Sequence, residues 1–350
     1  MPRSTHAGST REEAADVFLS GLLFYDLGFT GLPSAPVPGA EVWTKGMGTS
    51  PGGIANFAVA LSRLGLRTSL SAAFGDDLHG THLWRELSVT EGVDLSRSRR
   101  FADWPTPVTV SLAYDGDRAL VTHGQEPPLS PDEMIGEPPP SRAAIAHIGA
   151  EPLEWVGRAH AAGTLVFADV GWDPSERWSP AVLDQLALCH AFMPNAEEAM
   201  AYTRTDSPRA ALSRLADLVP LAVVTDGAGG ALAVDSTTGE TASVSGLRVD
   251  AVDTTGAGDV FGAGLVAATL AGRPLADRLR FANLVAALSV RRIGGAAAAP
   301  DRAAVARWWR TVRDTPGNGD LRSAYAFLDH DIPAAATTAA GPHHPDQPEQ

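Results

Sequence analysis

Residues 253–264 read DTTGAGDVFGAG, and this stretch decides the fold and indicates the chemistry. Gly256, Ala257 and Gly258 have almost no side chain, so their backbone N–H groups can converge on an anion. The apolar run that follows predicts a buried helix whose positive end faces the same anion. Asp259 lies at the junction, where a carboxylate suits the removal of a proton from an attacking hydroxyl. Alternatively, the stretch is a glycine-rich turn capped by an aspartate.

Two shorter motifs lie upstream of this stretch. The sequence GGIANFA occupies residues 52–58, and the sequence NAEE occupies residues 195–198. In this order, the three motifs resemble those of the ribokinase-like (PfkB) carbohydrate kinases, whose C-terminal signature is Asp-Thr-x-Gly-Ala-Gly-Asp-x-Phe-x-x-Gly. Residues 253–264 meet every fixed position of that signature, and the resemblance covers roughly residues 16–310.

The composition of the chain limits its partners and its compartment. Its 350 residues suffice for one large α/β domain, with or without a small appendage. The net charge is −14 and there is no basic stripe, which argues against binding to nucleic acid or to an anionic membrane surface. Cys189 is the only cysteine, so no intrachain disulfide can form, and we expect a cytoplasmic protein.

The two ends of the chain differ from its middle. Residues 1–14 are small and polar and residues 331–350 lack apolar periodicity, so we predict that both are disordered. The kinase domain that the resemblance implies then spans residues 15–330. The apolar run Val17–Phe24 is too short to cross a bilayer and follows acidic residues, unlike a signal peptide. It predicts a first buried strand.

Between the ends, short apolar runs alternate with helical patterns. This alternation predicts an α/β fold, in the resemblance a ribokinase-like one, with a mainly parallel central sheet flanked by helices on both faces. The expected strands are Val17–Phe24, Thr68–Phe74, Ala144–Ile148, Leu165–Val170, Ala191–Met193 and Leu221–Thr225. The expected helices are Ile54–Leu64, Leu153–Ala162, Ala181–Leu188, Glu197–Thr203, Pro208–Leu218, Gly258–Ala271 and Leu275–Ile293.

Two segments interrupt the alternation. Pro107–Tyr114 and Arg118–His123 read as a hairpin, and Phe29–Thr44 is extended and rich in Pro and Gly. We expect a small β-lid formed by about residues 29–45 and 101–125. The resemblance implies that such a lid closes over the sugar and mediates homodimerisation. Alternatively, the two segments are surface excursions without a function.

The resemblance assigns the phosphoryl-transfer chemistry to four residues of the glycine-rich stretch. Asp259 matches the general base of the family. The backbone amides of Gly256, Ala257 and Gly258 match its anion hole. Phosphoryl transfer from ATP needs both, because the attacking oxygen must lose a proton and the charge on the phosphoryl group must be stabilised.

Further residues match the nucleotide side of the family's site. Asn195 and Glu198 match a pair that organises Mg²⁺ and phosphate, largely through water, although they also read as a simple helix start. Thr225 and Gly227 match a loop beside the nucleotide, and Asn283 matches a position near the adenine.

Asp253 and Thr255 match positions that hold a monovalent cation, such as K⁺, in some members of the family. Asp253 can equally be a turn-forming carboxylate.

On the sugar side, we expect Asp26, Gly52, Gly53 and Asn56 to bind the substrate. Carboxylate and amide groups can hydrogen-bond vicinal hydroxyls, and glycines let the backbone approach a sugar closely. Asp26 follows the first expected strand, where a ligand role is favoured over a turn cap.

The chain departs from the family in one loop. Members commonly have Asp-x-Asn-x-Arg after the central strand, whereas residues 169–173 read DVGWD, with Gly in place of the amide and Asp in place of the base. This change, and the lack of lysine around the substrate motifs, disfavour a sugar that is already phosphorylated. Arg118 in the hairpin is the chief argument to the contrary.

These observations predict an ATP-dependent kinase for a small neutral sugar, of ribokinase or fructokinase type. One alternative is a nucleoside kinase of the same fold, with Trp43, Phe101 or Trp104 stacking on the base. Another is a catalytically silent regulator that binds sugar or nucleotide, but Asp259 and both glycines of the anion hole are present. A dinucleotide-dependent enzyme is disfavoured, since no Gly-x-Gly-x-x-Gly follows the first strand.

Overall fold

The computed structural model describes residues 14–330, except positions 115, 116, 172 and 174. Apart from Ala14, the two ends that were predicted to be disordered therefore lie outside the described residues. By its contacts the chain divides into two compact units, Met1–Val305 and Ala306–Gln350. The extent of the kinase domain, residues 15–330, stays a prediction.

The described residues form strands and helices in alternation, as the sequence predicts. The strands are β1 (Ala15–Ser20), β2 (Leu23–Thr30), β3 (Gly46–Gly53), β4 (Thr68–Ser71), β5 (Ala73–Gly75), β6 (Arg99–Phe101), β7 (Val108–Tyr114), β8 (Asp117–His123), β9 (Ser141–His147), β10 (Leu165–Asp169), β11 (Ala191–Phe192), β12 (Leu221–Thr225), β13 (Ala231–Asp235) and β14 (Glu240–Val244). The helices are α1 (Ile54–Arg63), α2 (Leu78–Arg85), α3 (Pro131–Ile135), α4 (Glu154–Ala161), α5 (Ala181–Asp184), α6 (Ala196–Thr203), α7 (Pro208–Ala216), α8 (Ala257–Leu270), α9 (Leu275–Ser289), α10 (Arg302–Asp314) and α11 (Gly319–Tyr325).

The central sheet has the order β14-β13-β12-β11-β10-β9-β1-β4. In this sheet β4, β1, β9, β10, β11 and β12 pair in parallel with their neighbours. The pairs β12–β13 and β13–β14 are antiparallel. Parallel strands whose connections contain helices need both faces covered. The α/β fold with a mainly parallel central sheet is thus confirmed.

Both faces of the central sheet are buried. Phe18 and Val166 pack with Trp155 of α4 in one apolar cluster, which also includes residues of α6 and α7. The next residues along the same strands, such as Leu19 and Phe167, point to the opposite face and are also fully buried. This double burial explains why the strands read as continuous apolar runs rather than as an alternating pattern.

The first expected strand, Val17–Phe24, is wrong as one element. The chain leaves the central sheet after Ser20, and β2 joins a different sheet. At Gly21 a Cβ atom would lie 3.0 Å from the Cβ of Ile54, so the turn packs closely against α1. Similarly, only the first part of Thr68–Phe74 belongs to the central sheet, as β4.

A second sheet, in the order β3-β2-β7-β8, is the lid. The predicted hairpin is present as β7 and β8. The other predicted lid segment, Phe29–Thr44, is wrong in its position, because the strands β2 and β3 flank it and most of it forms no strand. Pro33, Pro36 and Pro38 explain this, since proline has no N–H group to donate to a ladder.

The second compact unit, from Ala306 onward, contains the end of α10, α11 and a 3-10 turn over Ala326–His330. The rings of Trp308 and Tyr325 lie 4.9 Å apart, and the Trp309 Nε1–H donates to the Asp329 carboxylate at 2.8 Å. Over the part of the chain that is described, no helix combines the length and the apolar character that crossing a membrane requires.

Candidate active site

The glycine-rich stretch forms the entry to α8, as predicted. Gly256 precedes the helix with φ +69°, a left-handed conformation that glycine adopts at little cost. The first N–H groups of any helix lack acceptors within that helix, so they can bind an anion. One of the three predicted amides, that of Ala257, also donates to the Thr254 carbonyl at 3.3 Å. Asp259 lies in the first turn of α8, within this group of amides.

Asn56 holds the carboxylate of Asp259. The Asn56 Nδ2 group donates to Asp259 Oδ2 at 2.8 Å, and Asn56 Oδ1 accepts from the Ala296 N–H at 3.1 Å. Because the side-chain oxygen of Asn56 accepts the hydrogen bond from Ala296, the side-chain nitrogen of Asn56 must point at Asp259. Gly256 lies against Asn56, since a Cβ there would approach the amide to 3.1 Å. The predicted role of Asn56 in binding sugar stays a prediction, and in the structure its side chain also contacts the candidate base.

The surroundings of Asp259 tune its proton affinity. Burial raises the pKa of Asp259 to about 7, and the charges of Asp26 and Glu198 act in the same direction. The hydrogen bond from Asn56 and the positive charge of Arg118 lower the pKa. A carboxylate with a pKa near 7 is well matched to accept a proton at physiological pH.

Asp26 lies in the middle of β2 rather than after a strand of the central sheet, which corrects the predicted position. It pairs with Ser50 of β3, two residues before Gly52. A Cβ on Gly52 would overlap the Asp26 carboxylate, so any larger residue there would displace Asp26. Burial raises the pKa of Asp26 to about 7, with a further contribution from the charge of Asp253.

Gly53 ends β3 and precedes α1 with φ +62°, and a Cβ there would overlap the Leu22 carbonyl. Gly52 and Gly53 therefore let β2, β3 and the start of α1 meet closely beside Asp26.

Two further side chains, which the sequence reading did not assign to the site, lie against Asp259. His147 ends β9 and Asp169 ends β10, and the His147 Nε2 lies 3.8 Å from Asp169 Oδ2. Donor atoms of His147, Asp169 and Asp259 all lie within 4.8 Å of one another, close enough to bind a divalent cation. Burial lowers the pKa of His147 to about 4 and raises the pKa of Asp169 well above its usual value. Their positions at the ends of adjacent parallel strands were the signal available in the sequence.

The Asn-x-x-Glu motif begins α6 as a capping box. Asn195 Oδ1 accepts from the Glu198 N–H at 2.9 Å, and Glu198 Oε2 accepts from the Asn195 N–H at 2.9 Å. The simple helix start is therefore present. Glu198 is also buried, and burial raises its pKa. An isolated parallel bridge joins Asn195 to Thr225, so the motif lies beside the end of β12.

The other residues predicted on the nucleotide side occupy one end of the central sheet. Thr225 ends β12, and Gly227 begins a 3-10 turn with φ +47°. Asn283 of α9 is buried and donates to the carbonyls of Val244 and Ser245 at 3.3 Å each. Its amide thus fixes the chain that follows β14.

Asp253 links two loops beside the anion hole. Its Oδ1 accepts from the Thr255 N–H at 2.9 Å, and its Oδ2 accepts from the Gly294 N–H at 3.0 Å. The turn-forming role is therefore observed. Among the described residues, the buried hydroxyl of Thr255 has no hydrogen-bond partner.

The aromatic residues considered for base stacking are placed differently from one another. Trp104 is buried with Ala73 and Met134, and its Nε1–H donates to the Glu126 carbonyl at 2.9 Å. Phe101 packs against Trp104, with ring centroids 6.4 Å apart. The stacking role is wrong for Trp104, which is part of the packing between elements. Trp43 is 82% exposed.

Comparisons with known proteins agree with this geometry. The profile of the family described as "pfkB family carbohydrate kinase" matches residues 34–302. A ribokinase of Schizosaccharomyces pombe is 28% identical over 274 residues, which cover 73% of this chain and 85% of that protein. A nucleoside kinase of Methanothermobacter thermautotrophicus is 30% identical over 281 residues, covering 77% and 88%.

The fold also matches solved structures. The ribokinase of Arabidopsis thaliana in complex with ribose and ATP superposes with a TM-score of 0.71 at 25% identity, covering 84% of this chain and 98% of that one. The three motifs identified in the sequence, at residues 52–58, 195–198 and 253–264, lie within the residues that the family profile matches. The chain therefore belongs to the pfkB family of carbohydrate kinases, which are phosphotransferases that act on hydroxyl groups.

Proposed function

We propose that the protein is an ATP-dependent kinase that transfers the γ-phosphoryl group to a hydroxyl of a small neutral sugar, of ribokinase or fructokinase type. One observation carries this proposal: the Asp259 carboxylate is held by Asn56 beside the first amides of α8, and its pKa is about 7. A base and an anion site in contact are what this reaction requires.

In the proposed reaction, Asp259 accepts the proton of the sugar hydroxyl. The sugar oxygen forms a bond to the γ-phosphorus while the bond from that phosphorus to the bridging oxygen breaks, and the electron pair stays on ADP. The amides of Gly256, Ala257 and Gly258 stabilise the charge on the transferred group. Asn56 fixes the orientation of the Asp259 carboxylate, because the side-chain oxygen of Asn56 is itself held by the N–H group of Ala296.

The residues on the nucleotide side fit a metal–nucleotide complex. Glu198 is a buried carboxylate in the motif whose Asn195 pairs with Thr225. We propose that Glu198 holds Mg²⁺ through water and that Asn195, Thr225, Gly227 and Asn283 line the nucleotide. Mg²⁺ prefers oxygen ligands and would neutralise charge on the phosphates.

We also propose K⁺ near Asp253 and Thr255, because the buried Thr255 hydroxyl lacks a partner among the described residues. An oxygen left without a partner in the interior is costly unless a cation or water binds it.

A neutral acceptor follows from the charges beneath the lid. The charge of Asp253 raises the pKa of Asp26, and the charge of Asp26 raises the pKa of Asp259. A phosphate group already present on the acceptor would be repelled by these carboxylates. The proposed contacts to sugar hydroxyls are Asp26, Gly52, Gly53 and Asn56.

The experiment that tests the proposal is a coupled ADP-release screen over neutral pentoses, hexoses, nucleosides and sugar phosphates. We expect turnover with one or a few neutral sugars. Turnover only with sugar phosphates would contradict the substrate class but not the kinase activity. If none of the acceptors were turned over while nucleotide still bound, a catalytically silent regulator would be favoured.

A nucleoside kinase is the second candidate, because a nucleoside kinase is 30% identical to this chain. The exposed Trp43 is one aromatic side chain that could stack on a base. Replacing Trp43 with alanine would raise KM for a nucleoside and leave KM for a sugar unchanged.

The pH dependence of turnover follows from the pKa of Asp259. The base works only when ionised, so kcat/KM should decline as the pH falls through about 7 and reach a plateau above it. In Asn56→Ala, a hydrogen bond that lowers this pKa is lost, so the acidic limb should move to higher pH. A pH–rate profile of both proteins measures this, and an unshifted limb would contradict the contact.

We further propose a homodimer through the lid in a cytoplasmic protein. Leu27, Val110 and Val121 are paired across the lid sheet and lie on the face opposite Asp26. Val121 is 62% exposed and Met47, on the same face, is 65% exposed. Exposed apolar patches of this kind often bind a protein partner.

Light scattering after size exclusion tests the dimer. The wild-type protein should have twice the chain mass, and Val121→Glu should have the mass of one chain. Val89→Glu is the control, since Val89 is 73% exposed but outside the lid. A monomeric wild type would contradict the proposal.

A further inference from the structure

The lid carries an arginine that reaches the glycine-rich loop. Arg118 lies in β8, and its Nη1 donates to the Thr254 hydroxyl at 2.5 Å. This hydrogen bond joins residues that are 136 positions apart in the sequence. Thr254 lies two residues before Gly256, so the contact connects the lid to the loop that leads into the anion hole.

The strand register places Arg118 on the inner face of the lid. Asp26 pairs with Thr109, and Thr109 pairs with Thr122. Arg118 lies four residues before Thr122 in the same strand, and side chains separated by an even number of residues share a face. Arg118 and Asp26 therefore point to the same side of the lid sheet, toward the space over Asp259.

Among the described residues, four ionisable groups around Asp259 are acidic or neutral. Asp26 of the lid, Glu198 of α6 and Asp169 of β10 are carboxyl groups, and His147 of β9 is held neutral by its lowered pKa. A phosphoryl group that is transferred here adds negative charge to an acidic site. Arg118 contributes positive charge to this site, and that charge lowers the pKa of Asp259.

We propose that Arg118 is a catalytic residue that the lid delivers to the transferred phosphoryl group, where its guanidinium binds a phosphoryl oxygen. The proposal rests on the proposed function. The planar guanidinium matches phosphate geometry and keeps its charge at any physiological pH. Thr254 holds the guanidinium next to the anion hole while the lid covers the acceptor site.

This placement couples the acceptor to the chemistry. Because Asp26 and Arg118 belong to one sheet, the lid position that contacts the sugar also brings the cation to the phosphoryl group. An open lid would remove both the sugar contact and the cation, so the γ-phosphoryl group of ATP would not be transferred to water at an incomplete site. Contact with the transferred group rather than the acceptor is favoured, because Thr254, which accepts a hydrogen bond from Arg118, belongs to the loop that leads into the anion hole.

The test compares Arg118→Gln and Arg118→Lys with wild type on the sugar found in the screen. We expect kcat to fall by about 10²-fold or more in Arg118→Gln, with KM for the sugar changed by less than about threefold. Arg118→Lys should recover part of the loss. The acidic limb of the pH profile should move to higher pH in Arg118→Gln, because a positive charge near Asp259 is removed.

The control is Arg100→Gln, which removes an exposed arginine paired with Asp76 at 2.6 Å outside the site. It should leave all constants near wild type. A raised KM for sugar with unchanged kcat in Arg118→Gln would overturn the proposal and assign the arginine to the acceptor. Unchanged constants and pH profile would overturn it as well.

A binding measurement separates this proposal from the proposed function. In calorimetry with a saturating concentration of the acceptor that the screen identifies, ADP with aluminium fluoride and Mg²⁺ mimics the transferred group. Arg118→Gln should bind ADP with aluminium fluoride at least about tenfold more weakly than wild type and bind ADP alone equally well. Equal affinity of the two proteins for the fluoride complex would overturn the role of Arg118, whichever acceptor the enzyme uses.

Discussion

Asp259→Asn should lower kcat by about 10³-fold while the Kd for ATP stays near that of wild type. An amide has the shape of the carboxylate and can accept the hydrogen bond from Asn56, but it cannot remove a proton from a hydroxyl. The anion hole is made of backbone amides, which the substitution does not change. Turnover is measured by ADP release and nucleotide affinity by calorimetry.

The stability of the variant provides its control. The pKa of Asp259 is raised in the folded protein, so the unfolded chain releases this proton at lower pH than the folded one does. The free energy of unfolding therefore decreases as the pH rises from about 4 to about 7, and it stays reduced above that range. Asp259→Asn removes this cost, so it should unfold at a temperature no lower than wild type at about pH 8. Near-wild-type turnover in a folded variant would refute the role of Asp259 as base.

The second large effect is expected at Gly52. Its Cα faces the Asp26 carboxylate so closely that a methyl group would occupy the same space. Gly52→Ala must therefore turn Asp26 away from the acceptor site or separate β2 from β3. We expect kcat/KM for the sugar to fall by about 10²-fold or more, with the loss mainly in KM, and the Kd for ATP to stay unchanged.

Two comparisons make the Gly52 result specific. Asp26→Ala should lower kcat/KM for the sugar by a similar factor, since it removes the same carboxylate without creating a steric overlap. Gly157→Ala, in helix α4 with its nearest neighbour at 3.9 Å, should leave activity unchanged. If Gly52→Ala kept the wild-type KM for sugar, Asp26 would not be an acceptor ligand.

The sequence predicts most of the architecture because apolar runs and helical periods report local burial. The parallel sheet, the hairpin of the lid and the entry to α8 follow from such local patterns. The division of Val17–Phe24 between two sheets could not be predicted in this way. Both halves are apolar, and the change of sheet depends on how Gly21 packs against Ile54, which is far away in the sequence.

The candidate site is predictable where a motif contains it and unpredictable where it depends on distant contacts. Asp259 and its amides lie within one dodecapeptide. The hydrogen bond from Asn56 to Asp259 joins residues 203 positions apart, and the sequence contains no pattern that reveals it. His147 belongs to no motif and Asp169 begins the loop that departs from the family pattern, and the order of β9 and β10 in the sheet brings both to Asp259.

The way in which the lid is inserted has a consequence for how such enzymes diverge. β2 and β3 lie between β1 and α1, and β7 and β8 lie between β6 and α3. None of these four strands pairs with the central sheet. Insertions or exchanges in the lid can therefore alter which molecule is accepted without changing the register of the strands that present the nucleotide-side loops. New specificities can arise in this architecture while the machinery for transfer is inherited intact.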